Sequence, residues 1–217
     1  EAIALLEPDG DPMELALAHS SLGWQLGYVL DRNAEGIAHG RRALEVAARI
    51  DAPAFQAQLC GRLGANQLRA GDWDGQLGTN LRDLGLSLLA GDVQGVMRAH
   101  INVGVCHTNR GLLALARAHT EEGARLAAAH GARIAEMIAE NNLAMLAADE
   151  GRLADARAHV ARSLDRARER GLPGLAETWA VLVRVAQGVR CRRALRRRGR
   201  LRPRRRRRRG LRDARPH

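Results

Sequence analysis

The chain has 217 residues, 46% of them apolar but with one Phe, one Tyr and three Trp, so its core must come from many small contacts rather than a large aromatic centre. Its formal net charge of +11 is uneven: residues 1–189 carry 19 Arg against 23 Asp plus Glu, a balance of −4, and residues 190–217 carry 16 Arg and one Asp, a balance of +15. Nucleic-acid binding would therefore rest on the last segment alone.

Residues 1–7 read as the end of an earlier helix, broken by Pro8, Asp9, Gly10, Asp11 and Pro12. Helices are then expected in pairs over 13–50, 54–90, 93–130 and 133–170, with a last unpaired helix over 174–188. The punctuation between them is regular. Glycines stand at 71, 91, 111, 131, 151 and 171, one every twenty residues, with Asp31 and Asp51 continuing the register backwards. Each rung reads as a helix stop, because glycine closes a helix in the left-handed conformation without a Cβ penalty.

Aligned at forty residues, the pairs form columns of like chemistry: Leu63, Val103, Leu143 and Val183; Gly64, Gly104 and Ala144; Leu59, Ala99, Ala139 and Trp179; Leu44, Leu84, Ala124 and Leu164. Large beside small is what ridges packing into grooves require. The pattern predicts an all-α array of stacked helix pairs spanning residues 1–189, a helical solenoid, and such arrays serve mostly as binding scaffolds.

The pairs Leu63-Gly64 before Gly71, Val103-Gly104 before Gly111 and Leu143-Ala144 before Gly151, with Ala116 and Ala156 in second helices, resemble the tetratricopeptide repeat. The period of forty is longer than that family's, its Trp and Tyr positions hold other residues, and Leu22-Gly23 sits one residue out of register. The longer repeat and phrases such as AIALLEPDGDP and LRAGDWDGQL look like the helical region of large ATP-binding bacterial regulators of the LuxR type. The resemblance implies a right-handed α-α superhelix, with an ATPase domain and a helix-turn-helix domain outside this chain.

Catalytic motifs are missing: there is no GxSxG, HExxH, glycine-rich phosphate loop or paired Cys motif. Asp72-Trp73-Asp74 reads as a helix start, where acidic residues complement the dipole. His39, His119 and His159 share one column, and His100 and His107 lie seven apart on one helix around Cys106. Zinc wants closer or convergent ligands, so these read as helix-face histidines, and neither metal nor cofactor is expected.

Cys60, Cys106 and Cys191 are far apart, which fits a reducing cytoplasm rather than a disulfide framework. No secretory signal opens the chain, and no apolar run reaches the roughly 18 residues that span a bilayer. All 35 basic residues are arginine, which together with the scarcity of Phe and Tyr suggests a GC-rich, bacterial gene. Residue 1 is Glu rather than Met, which fits either a fragment or a trimmed start.

The tetratricopeptide resemblance implies a ligand-binding concave face lined by first helices. Carried over position by position, the wall is Gln58, Gly61, Arg62, Ala65 and Arg69; Arg98, Ile101, Asn102, Val105 and Asn109; then Ile138, Asn141, Asn142, Met145 and Asp149. Asn102 and Asn142 share a register, and stacked amides can bind a peptide backbone. The expected role is a non-enzymatic scaffold for a protein or peptide, as the sensor or interaction region of a larger transcriptional regulator. A small-molecule effector between helices is a weaker expectation, and the open ends of the array invite self-association.

Segment 190–217 breaks the pattern with Arg192-Arg193, Arg196–Arg198 and Arg204–Arg209. Charge at this density forbids a packed core and is expected to leave the tail disordered. It has two readings. One is a nonspecific nucleic-acid tether on a free-standing adaptor, held by counterion release. The other, which we favour, is a frame-shifted end to the coding sequence.

Overall fold

The computed structural model describes Ile3, Leu6 and residues 10–168. The expected Gly171 rung, the helix over 174–188, the column members Trp179 and Val183, Cys191 and the arginine segment lie outside the described residues.

Among the described residues eight α-helices and one π-helical turn follow Gly10: α1 Pro12–Trp24, the π turn Gln25–Val29, α2 Asn33–Ala47, α3 Pro53–Ala70, α4 Trp73–Leu89, α5 Val93–Asn109, α6 Leu113–Ala129, α7 Arg133–Asp149 and α8 Leu153–Arg168. Among the described residues there is no strand. Each helix packs on the next, and first helices of successive pairs also touch: α1 with α3, α3 with α5, α5 with α7. The first helices therefore form one continuous inner wall. The architecture is the helical solenoid that the period predicts.

The ladder works as a set of stops. Gly71, Gly91, Gly111, Gly131 and Gly151 have φ of 72°, 64°, 75°, 62° and 82°, all left-handed. The next amide in each case reaches back five residues, as from Asp72 N to the Gln67 carbonyl at 3.0 Å and Leu112 N to that of His107 at 2.9 Å. This closes the helix with its last carbonyls satisfied. Asp31 joins the ladder with φ 57°. Asp51 does not: among the described residues Asp31 is the one non-glycine with positive φ. The α2–α3 link instead uses Gln56, whose Nε2 donates to the carbonyls of Ala47 and Ile50 at 3.0 and 2.9 Å. A side chain replaces the glycine there. At helix starts, Asp72 and Asp92 accept from the amides of Gly75 and Gly95, each at 3.0 Å.

The first expected helix is not one α-helix. It turns π over Gln25–Val29. Gly23 is eight residues before Asp31, whereas Gly64 is seven before Gly71 and Gly104 seven before Gly111. A π turn absorbs one extra residue. The closing bond confirms the count, since Arg32 N reaches back six residues to the Leu26 carbonyl, at 2.7 Å, where the other ladder stops reach back five. The register slip at Leu22-Gly23 is thus a local insertion.

The columns form the core. Leu59, Leu63, Ala99, Val103, Ala139 and Leu143 are buried. Of the second-helix column only Leu44 is fully buried; Leu84, Ala124 and Leu164 are half-buried. The small-residue column allows close approach. A Cβ at Gly64 would lie 2.8 Å from the Asn80 carboxamide, and one at Gly104 would overlap the Thr120 hydroxyl. In the last pair Ala144 packs in a cluster with Val160, in the same register as Asn80 and Thr120. Backbone proximity there is traded for ordinary side-chain packing.

Candidate functional site

The inner wall divides its expected residues into two sets. Positions 58, 62, 65 and 69 follow a spacing of four, three and four, which keeps them on one helix face. The same face repeats at 98, 102, 105 and 109 on α5 and at 138, 142, 145 and 149 on α7. Gln58, Arg62, Arg69 and Ile138 are exposed, while Arg98, Asn102, Val105, Asn109, Asn142, Met145 and Asp149 are partly exposed. Ile101 and Asn141 differ: they are 5% and 7% exposed. They share the register of Gly61, one position before the wall stripe, and one residue turns a helix by about 100°. Ile101 instead packs toward α6, within 2.7 Å of where a Gly123 Cβ would lie. It reaches the wall only as floor.

Two recesses open between α5 and α7. The larger, about 510 Å³, is lined from α5 by Gln94, Met97, Arg98, Ile101 and Asn102 and from the far side by Gly131–Ala135 and Ile138. The smaller, about 70 Å³, is lined by Val105, Thr108, Asn109, Asn142 and Met145. Two of its lining residues, Asn109 and Asn142, have side-chain nitrogens that are sealed from solvent and find no acceptor among the described residues. A part-exposed carboxamide such as that of Asn102 or Asn142 can both donate to and accept from a peptide backbone. A third recess, about 340 Å³, sits at the other end of the wall against Ser21, Trp24, Gln25 and Arg62. The expected wall residues are therefore spread over three recesses rather than gathered into one. Gln58, Gly61, Ala65, Arg69, Asn141 and Asp149 line none of them.

Two wall arginines are already engaged. Arg69 pairs with Asp31 at 3.2 Å and lies over the Tyr28 ring at 5.1 Å, beside the Trp24–Tyr28 stack. Arg98 reaches Asp83 of α4 through Nη2 at 2.9 Å and Nε at 3.4 Å. Asp83 is 0% exposed and also accepts from Ser87 Oγ at 3.1 Å. Burial pushes its carboxyl above the usual range, and the Arg98 guanidinium opposes that shift. Sequence reasoning missed Asp83. The available signal was an acid in a column otherwise made of Ala43, Gly123 and Ser163.

The histidines fall between paired helices, off the wall. His19 and His39 meet at 2.9 Å between their Nδ1 atoms, and His100 and His119 at 3.1 Å. The His107 ring lies tilted against that of His119, with centroids 5.5 Å apart. In the last pair Glu140 accepts from His159 at 2.7 Å. Burial lowers the pKa values of His100, His107 and His119, with the neighbouring His119 adding to the effect on the first two. Among the described residues no group of three or more His, Cys, Asp or Glu is placed to hold a metal ion. Cys60 and Cys106 are free and buried, and burial pushes the Cys60 thiol up to about 11. No helix among the described residues is long and apolar enough to cross a membrane.

No family model matches the sequence, and no curated protein matches it. Solved structures do share the fold. The aspartyl phosphate phosphatase F of Bacillus subtilis superposes with a TM-score of 0.74 at 13% identity, over 91% of this chain and 51% of that one. A Rap protein complexed with Competence and Sporulation Factor gives 0.60 at 16% identity, over 73% and 42%. A signal transduction ATPase with numerous domains from Pyrococcus horikoshii, bearing a tetratricopeptide repeat sensor, gives 0.58 at 14% identity, over 86% and 35%. These likenesses establish a tetratricopeptide-like fold. The chain spans about half the length of the phosphatase it matches.

Proposed function

We propose that this chain is a binding scaffold for a protein or peptide, and that it serves as the sensor or interaction region of a larger signalling protein. The observation that carries the reading is the continuous inner wall, where the part-exposed carboxamides of Asn102 and Asn142 recur in one register beside the recesses between α5 and α7. An extended peptide offers backbone carbonyls and amides at regular intervals, the partners such carboxamides need. Two structural neighbours support it: one holds Competence and Sporulation Factor, and one carries its repeat array as a sensor. Within this reading residues 1–189 form the array, the setting is cytoplasmic, and the larger protein is a LuxR-type bacterial transcriptional regulator, by the sequence resemblance already described.

The test is a peptide-display selection against the purified chain, followed by affinity measurement on an Asn102→Ala, Asn109→Ala, Asn142→Ala triple variant. Selected peptides should bind the variant at least about tenfold more weakly, the cost of losing one or more net hydrogen bonds. Unchanged affinity in a folded variant would overturn the groove.

A further inference from the structure

The larger recess has a composition the smaller one lacks. Its floor is apolar: Met97 and Ile101 from α5 are nearly sealed, and Ile134 and Ile138 from α7 remain 50% and 39% exposed. Among the described residues its charged lining residues are Arg98 and Arg133. Each guanidinium is tethered on its protein side by a carboxylate that is buried, Asp83 at 0% and Glu136 at 4% exposure. Arg98 spends Nε and Nη2 on Asp83, and Arg133 spends Nη1 on both oxygens of Glu136 at 3.1 and 3.2 Å. Arg98 Nη1 and Arg133 Nη2 are not used in these bonds. Glu136 is also shared with Arg166 at 2.5 Å, so it keeps a guanidinium partner when Arg133 is replaced.

We propose that this cleft receives an acidic–apolar segment of a partner protein, with a branched aliphatic side chain on the isoleucine floor and an Asp or Glu carboxylate against Arg98 and Arg133. The inference rests on the concave-wall reading and names the partner's chemistry. Tethered guanidiniums are oriented before binding, so less conformational freedom is lost when they grip a carboxylate. A volume of about 510 Å³ suits a few residues of a peptide. Basic occupants, the chain's own arginine segment 190–217 included, would meet like charge. A nucleic acid would satisfy the arginines and leave the isoleucines wet.

The probes are two capped peptides, acetyl-Asp-Ile-Leu-Asp-Leu-amide and its isosteric double Asn counterpart, titrated into the labelled chain and followed by amide chemical shifts. The acidic peptide should bind about tenfold more tightly, the worth of one charge-assisted hydrogen bond, with shifts centred on residues 97–102 and 131–138. Arg133→Gln should close that gap, and Ile138→Asn, which removes the apolar contact without adding charge, should weaken both peptides. Arg133 and Ile138 are used because replacing Arg98 would strand Asp83. Equal affinity for the two peptides, or no binding by either, overturns the inference. Equal affinity that falls with Asn142→Ala but not with Ile138→Asn overturns it while leaving the groove reading standing. Shifts confined to α4 and α6 would sink both.

Discussion

Asp83 shows how a residue off the wall governs one on it. Its carboxylate lies on α4, fully buried, and sets the direction of Arg98 on α5. Asp83 is sealed whereas the Arg98 side chain is 37% exposed, so the costly deletion is Arg98→Met, which leaves a buried carboxylate uncompensated and should lower the unfolding free energy by about 3–5 kcal/mol in urea titration. The double replacement Asp83→Leu with Arg98→Met should recover much of that loss, because both charges go together. The histidine seam makes a prediction of its own. His100, His107 and His119 have folded pKa values below the ordinary 6.5, so between the two values the unfolded chain binds more protons. Stability then rises with pH across that window and is fully present above about 6.5. Thermal unfolding should shift downward as pH falls below 6.5, and a His100→Gln, His119→Gln variant should show a flatter dependence. An equally steep profile in that variant would remove the seam as the cause.

At the scale of elements, glycine has opposite meanings at different positions. Gly78 and Gly85 sit mid-helix on α4 with open space where a Cβ would go. Alanine at either should stabilise by about 0.5–1 kcal/mol through helix propensity. Gly36 differs: a Cβ there would come within 2.7 Å of the Gly27 backbone, where α2 crosses the π turn. Gly36→Ala should cost about 1–3 kcal/mol in the same denaturation assay. Much of this was legible from spacing. The ladder marks helix ends because a left-handed stop leaves a trace in one residue type, and the columns mark the core because burial repeats with the fold. The slip at Leu22-Gly23 was visible as an offset, but only hydrogen bonding identifies it as a π turn. Ile101 and Asn141 were placed on the wall by register, and a shift of one position turned them inward. Asp83 has no counterpart in other repeats, so a reading based on periodicity passes over it.

For the whole molecule, function follows from which side of the stack faces inward. First helices touch one another along the array, and the two recesses between α5 and α7 open on that side. The outer face of α4 also exposes apolar side chains: Leu81, Leu88 and Leu89 are 46%, 61% and 76% exposed. The account assigns partner binding to the inner wall, so the decisive measurement compares the two faces directly. Hydrogen–deuterium exchange of the chain should be recorded with and without a display-selected peptide at saturating concentration. The account predicts slowed exchange over residues 93–109 and 133–149, with α4 and α6 unchanged. Protection centred on 78–89, with the α5–α7 wall unaffected, would contradict it.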